Sequence, residues 1–133
     1  MRSAGGADSA RTFIEAFNDE DLDALIAVLD PDVEIQTSRG IAIGHDEARR
    51  WATRIPTGEL RQRLVLDWVR DEGKHVIVGA RREWVWREDG RLADAQDLVI
   101  VATIGADGRI TRWQPFEDRA EALQAAGIGA GET

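Results

Sequence analysis

Two charged side chains, Arg81 and Glu83, stand in the stretch RREWVWREDGR, directly before a Trp-Val-Trp run. Residues two apart on a strand point to the same face of a sheet, so these side chains are predicted neighbours. A buried arginine keeps an adjacent carboxylate ionised, which lets the carboxylate orient water or accept a proton. Arg81 and Glu83 are therefore the candidate catalytic residues. The alternative interpretation is a charge pair that satisfies itself inside the sheet.

The segments that must position this pair are predicted to be helices followed by an antiparallel meander. Apolar residues at helical spacing predict two short helices before residue 31, with Asp21 as N-cap of the second. The run VEIQT and the run IAI predict two strands, and GHDEARRWATRIP predicts a third helix. Four alternating segments follow, then a short closing helix. The four segments lie near residues 60–70, 74–87, 92–105 and 109–116.

Two-residue turns between these segments would fix which side chains share a face. One face would be apolar with a polar patch, and a single bulge would reverse the assignments beyond it. Trp68 and Trp113 on this face are equally compatible with a pocket wall and with plain core. Besides Arg81 and Glu83, the face offers these ligand-binding candidates: Gln62, Gln96, Trp68, Trp113, Leu98 and Ile100.

The opposite face of the predicted meander is also too apolar to be wet, because monomers rarely expose a large patch of Val and Trp. We therefore predict a homodimer through this face. Its expected anchors are Trp84, Trp86 and Phe116, and an Arg82–Asp97 pair across two strands would give specificity.

Length and charge bound the remaining possibilities. The 133 residues fit one domain, assigned to residues 8–126, with flexible termini at 1–7 and 127–133. A net charge of −8 disfavours nucleic acid and anionic membranes as partners. With no cysteine, and with His45 and His75 far apart, the sequence predicts neither a metal site nor a cofactor. The absence of cysteine also favours a cytoplasmic location.

The order of elements resembles one known superfamily. The stretches FIEAFNDEDLDALIAVLDPDVEI, GHDEARRW and GRITRWQPFEDRAEAL stand where they do in SnoaL-like, nuclear transport factor 2-like proteins, and the resemblance covers about residues 8–126. It implies a cone-shaped α+β barrel, in which three N-terminal helices pack on a curved antiparallel meander sheet around an apolar pocket. It also implies dimers that often pair through the outer side of the sheet.

Two enzymes of this superfamily provide residue-level expectations. The tyrosine and two aspartates of ketosteroid isomerase fall on Phe13, Thr37 and Ile100, which argues against its mechanism and leaves Phe13 as a pocket candidate. Limonene epoxide hydrolase is similar in its Arg-x-Asp, which matches Arg81-x-Glu83, and in its final-strand Trp, which matches Trp113. Its second carboxylate falls on Pro115, so Glu83 would be a base without an evident acid.

The sequence thus predicts a pocket for a small hydrophobic molecule, and whether the protein is an enzyme stays open. The molecule would be turned over by water activation, in an epoxide-hydrolase-like or cyclase-like reaction, or it would be bound by a non-catalytic ligand-binding or dimerisation module. A pure scaffold would have no cavity at all.

Overall fold

A computed structural model of the protein describes residues 6–37, 40–54 and 59–127. The elements follow the predicted order, and the side chain of Asp21 caps the second helix at the backbone N–H of Ala24. The helices are α1 (Gly6–Asp19), α2 (Leu22–Ala27), α3 (Gly44–Arg54) and α4 (Arg119–Ala125). The strands are β1 (Leu29–Thr37), β2 (Gly40–Ile43), β3 (Leu60–Glu72), β4 (His75–Trp86), β5 (Leu92–Ile104) and β6 (Ile110–Phe116).

The ends of the chain fit the predicted boundaries only in part. Gly6 and Ala7 belong to α1, although both were expected in a flexible terminus. The rest of the predicted termini, apart from Gly127, lies outside the described residues. Within the described part of the chain, none of the helices has the length and apolar character needed to span a bilayer.

One six-stranded sheet forms the frame, with strand order β2-β1-β6-β5-β4-β3. Strands β3 to β6 make the predicted antiparallel meander, and β1 joins β6 in parallel. The α+β class is therefore confirmed. The sheet is open, with β2 and β3 as its edges, so the described residues do not form a closed barrel.

Helices cover both sides of this sheet. The inner face, defined as the face toward α1, α2 and α3, packs a large core that includes Phe13, Leu29 and Ile100, with none of these more than 1% exposed. The outer face carries a smaller cluster in which Ile77 and Val101 pack against α4, joined by Ala122 of that helix. The closing helix thus takes part of the face that was expected to be free for a second copy.

The free edge of β3 is covered by the end of α1. The Asn18 amide donates to the Leu64 carbonyl (2.8 Å), and its oxygen accepts from the Leu64 N–H (2.7 Å). Because an unpaired strand edge invites further strand pairing, this double hydrogen bond protects the edge as well as docking the helix. It also holds α1 close to the strand on which Gln62 and Leu64 lie.

Two one-residue bulges overturn the predicted assignment of faces. Asp67 is the extra residue between Leu66 and Trp68 on β3, and Ala93 is the extra residue on β5 opposite the Trp84–Val85 step of β4. Because side chains alternate with a period of two, one inserted residue exchanges the faces of every residue beyond it. The predicted pairs of β3 with β4 and of β4 with β5 are therefore wrong.

The bulges reverse the predicted inner and outer faces of β4. Arg82 pairs with Gln96 and Leu64, and it shares the inner face with them, whereas Arg81 and Glu83 lie on the outer face. The predicted pairs between β5 and β6, Ile100 with Pro115 and Ala102 with Trp113, are confirmed.

Candidate ligand site

A cavity of about 460 Å³ opens between the inner face, α1 and α3. Its size lies within the range of about 300–1,000 Å³ that is usual for small-molecule sites. Apolar and aromatic side chains form much of its wall: Phe17, Trp51, Leu64, Leu98, Ile100, Trp113, Pro115 and Phe116. The polar lining residues are Gln36, Thr37, Gln62, Arg82 and Glu117.

The structure brings four of the predicted ligand-binding residues to this cavity. They are Gln62, Leu98, Ile100 and Trp113. Phe13 lies behind the cavity wall, fully buried, and its ring stacks on Trp113 at a centroid distance of 3.9 Å. Gln96 is on the inner face opposite Arg82, outside the cavity lining.

Arg81 and Glu83 do not reach this cavity. Glu83 is only 6% exposed, and on the outer face it accepts from Arg63 Nε at 2.7 Å and lies 3.4 Å from Arg81 Nε. This is the self-satisfied charge pair of the alternative interpretation, extended by a second arginine. The epoxide-hydrolase resemblance placed Arg81 and Glu83 beside Trp113, and the bulge at Ala93 puts them on the opposite side of the sheet.

Three of the tryptophans also change faces. Trp68, a predicted pocket residue, follows the Asp67 bulge and lies over Gly79 on the outer face, next to α4. Trp84 and Trp86, the predicted dimer anchors, pair with Gln62 and Leu60 and lie on the inner side of β4. The reason is the same one-residue shift that moves Arg82 inward.

Arg82 lies on the inner face of β4, whereas the sequence predicts it on the outer face. Its guanidinium carbon lies 5.7 Å from the Trp84 ring centroid, and it has no hydrogen bond or ion pair to any residue in the described ranges. Burial lowers the pKa of the Arg82 guanidinium, and the Glu117 carboxylate opposes that shift. A cation partly removed from water and left without a hydrogen-bonded partner favours an oxygen acceptor brought by a ligand.

The sequence held one signal for this residue. Arg81 and Arg82 are adjacent, so a strand must send them to opposite faces, and one arginine had to point inward whatever the register. Phe17 and Trp51 also line the cavity, and their helical spacing does not distinguish a cavity wall from ordinary core. Glu117 follows the last strand and carried no motif.

Comparisons with known proteins agree on the fold. A family model described as a SnoaL-like domain matches residues 10–113. No curated protein matches.

Solved structures give the same result. An NTF2-like protein of unknown function from Burkholderia pseudomallei K96243 is 26% identical, with a TM-score of 0.72 over 91% of this chain and 96% of that one. A putative polyketide cyclase from Sinorhizobium meliloti is 22% identical (TM-score 0.66; 81% and 93% covered). An LEH-like epoxide hydrolase from M. tuberculosis is 19% identical (TM-score 0.71; 90% and 86% covered).

Proposed function

This chain belongs to the SnoaL-like family, and we propose that its main cavity binds a small, largely apolar molecule that carries an aromatic ring and an acidic or carbonyl oxygen. The oxygen is received by Arg82, and the ring lies against the aromatic wall. The observation that carries this proposal is the guanidinium of Arg82, which borders an otherwise mostly apolar cavity without a hydrogen-bonded partner among the described residues.

The aromatic part of the ligand follows from the wall of the cavity. Trp51, Trp113 and Phe17 border it, and the ring of Phe17 is tilted 32° against that of Trp51 at a centroid distance of 6.1 Å. Aromatic rings favour offset or tilted partners, so a flat ligand gains both buried area and ring contacts here. Gln62 adds an amide that can donate to or accept from a second polar group.

The binding proposal is tested by comparing two adjacent arginines. Isothermal titration with 2-naphthoate, and with neutral 2-naphthamide, is carried out on the wild type, Arg82→Gln and Arg81→Gln. Loss of a charge-assisted hydrogen bond typically costs about 10- to 100-fold in affinity. We expect that loss for 2-naphthoate in Arg82→Gln and a change of less than about threefold in Arg81→Gln, because Arg81 faces away from the cavity.

Equal losses in the two variants would contradict the role of Arg82. Equal affinity of the wild type for the acid and the amide would contradict the choice of an acidic oxygen. In both variants a glutamine replaces an arginine on β4. Circular dichroism and the unfolding midpoint of each variant serve as the control for folding.

Turnover by water activation is the second candidate, because Glu117 is a carboxylate that borders the same cavity as Arg82 and acts on it electrostatically. In an epoxide opening, the water oxygen would bond to a ring carbon while the bond from that carbon to the epoxide oxygen breaks. Arg82 would donate hydrogen bonds to the epoxide oxygen as it gains negative charge, and Glu117 would accept a proton from the water and then return it to that oxygen. Glu83, the predicted base, lies on the other side of the sheet.

A pair of isosteric variants separates turnover from binding. In a screen of epoxides and polyketide-like compounds, Glu117→Gln should lower kcat by about 100-fold or more, as loss of a general base does. Its ligand affinity should change by a small factor, and Glu83→Gln should retain full turnover. Activity that survives Glu117→Gln and disappears in Glu83→Gln would restore the original assignment.

A further inference from the structure

A second cavity of about 200 Å³ lies beside the main one, between α1, α2, α3 and β3. Its walls are largely small and apolar side chains, among them Ala16, Leu22, Leu25 and Ala52. An engineered apolar cavity of about 150 Å³ is enough to bind benzene. The second cavity therefore has room for a short alkyl or branched hydrocarbon group.

The two cavities are separated by side chains that border both of them. Phe17 and Gln62 line the main cavity and the second one alike. Phe17 is buried, with 8% of its surface exposed, and it borders both cavities. A core side chain is normally held by close packing on every side, so Phe17 can change rotamer with less displacement of its neighbours than an ordinary core residue.

The charges at the second cavity are already paired. Arg87 donates to Glu20 Oε2 at 3.1 Å, and the backbone N–H of Arg87 donates to the Glu59 carbonyl. A charged ligand group at the second cavity would therefore have to compete with Glu20 for Arg87. In the main cavity, the guanidinium of Arg82 has no such protein partner among the described residues. The second cavity suits the apolar end of a ligand, and the main cavity suits its acidic end.

We infer that the second cavity is a tail subsite of the ligand site, which accepts an alkyl or isoprenoid-like substituent once Phe17 turns aside. This inference rests on the proposed function of the main cavity. The ligand class it specifies is an aromatic acid that carries a hydrocarbon tail. The ion pair of Glu20 and Arg87 borders this subsite.

The test measures how much affinity a tail adds. The affinities of 2-naphthoate and 6-butyl-2-naphthoate are measured by isothermal titration on the wild type, Ala52→Leu and Leu92→Trp. Each buried methylene adds about fourfold in affinity, so the butyl compound should bind the wild type about tenfold or more tighter. Ala52→Leu fills the subsite and should reduce that ratio to about threefold or less. Leu92 is 51% exposed on β5, so Leu92→Trp adds bulk elsewhere and should keep the wild-type ratio.

The outcomes separate the two proposals. If neither compound binds the wild type, the proposed function fails, and the tail subsite fails with it. If 2-naphthoate binds through Arg82 but the butyl ratio is the same in the wild type and Ala52→Leu, the tail subsite alone is wrong. Leu22→Trp fills the same subsite from the partly exposed start of α2 and replaces Ala52→Leu if that variant does not fold.

Discussion

Each face of β4 carries an arginine, and the two arginines have different surroundings. On the outer face, Arg81 and Arg63 lie beside the buried carboxylate of Glu83, and both arginine side chains remain nearly half exposed to water. On the inner face, Arg82 borders a cavity without an ion pair among the described residues. Two arginines adjacent in sequence therefore differ in their partners: a protein carboxylate holds Arg81, and Arg82 has no ion pair among the described residues.

The energetic balance differs between the faces for the same reason. A buried carboxylate is tolerated when hydrogen-bonded cations compensate its lost hydration, as on the outer face. The inner guanidinium loses part of its hydration and has no hydrogen-bonded acceptor among the described residues, and this burial lowers its pKa. A site that leaves such a group uncompensated favours an acceptor supplied by a ligand.

The homodimer remains a prediction. Its loss is the largest effect that we expect from a substitution on the outer face. With Trp84 and Trp86 on the inner side and Phe116 at the cavity wall, the anchor of such a dimer would be Val65, which pairs with Arg81. The predicted Arg82–Asp97 pair is wrong, because Asp97 pairs with Arg81. Val65→Glu should reduce the mass measured by light scattering from two chains to one, because it buries a charge in an apolar contact.

The control for this prediction is Ile43→Glu. Ile43 is 56% exposed on the edge strand β2, and this variant should keep the dimer. A single-chain mass for the wild type would contradict the dimer itself. Dissociation by Ile43→Glu alone would place the interface away from the outer face.

The bulge at Asp67 is tested by one methyl group. A Cβ at Gly79 would overlap Nε1 of the Trp68 indole, so Gly79→Ala must displace that ring. We expect a loss of about 1–3 kcal/mol in the free energy of unfolding, measured with urea. Adding Trp68→Leu should recover part of that loss. If Gly79→Ala costs nothing, Trp68 lies on the inner face after all.

The charge cluster on the outer face should show a smaller effect. Replacing both Arg63 and Arg81 by glutamine leaves Glu83 buried without a cation. The cost should be about 1–2 kcal/mol, since water screens these half-exposed arginines. Adding Glu83→Gln removes the buried charge and should restore most of the stability. A double variant as stable as the wild type would show that Glu83 is compensated in another way.

The smallest effect concerns His75, on the outer side of β4. Its burial, followed by Lys74 and Arg112, lowers the pKa of His75 below 6.5. The unfolded chain therefore binds the proton more readily, so this residue reduces stability as the pH falls from 6.5 toward the lower pKa of the folded state. The unfolding free energy of the wild type should drop more between pH 7.5 and 5.5 than that of His75→Asn, in urea titrations at each pH. Parallel curves would contradict the shift.

Local signals predicted much of the fold. The spacing of apolar residues indicated the helices, Asp21 was identified as an N-cap, and the alternating segments became β3 to β6. The pairs between β5 and β6 were also predicted, because the register expected from the turn is kept along most of this pair of strands. Each of these features depends on residues close together in the chain.

The candidate site was predicted only in part, and the failure has a specific cause. Gln62, Leu98, Ile100 and Trp113 were placed at the cavity, but Arg82 was assigned to the wrong face. A bulge such as those at Asp67 and Ala93 needs no special residue, so the sequence does not mark it. One inserted residue is enough to exchange the faces on which Arg81 and Arg82 lie.

The class of fold, the order of the elements and the acidic, cysteine-free composition follow from residue content and from periodicity within short segments. The three-dimensional packing alone reveals which arginine borders the cavity, that Trp68 packs beside α4, and that Phe17 borders two cavities. The physical reason is that register depends on how distant strands pack together. The free energy of packing several faces at once selects the bulges, and no local pattern contains that information.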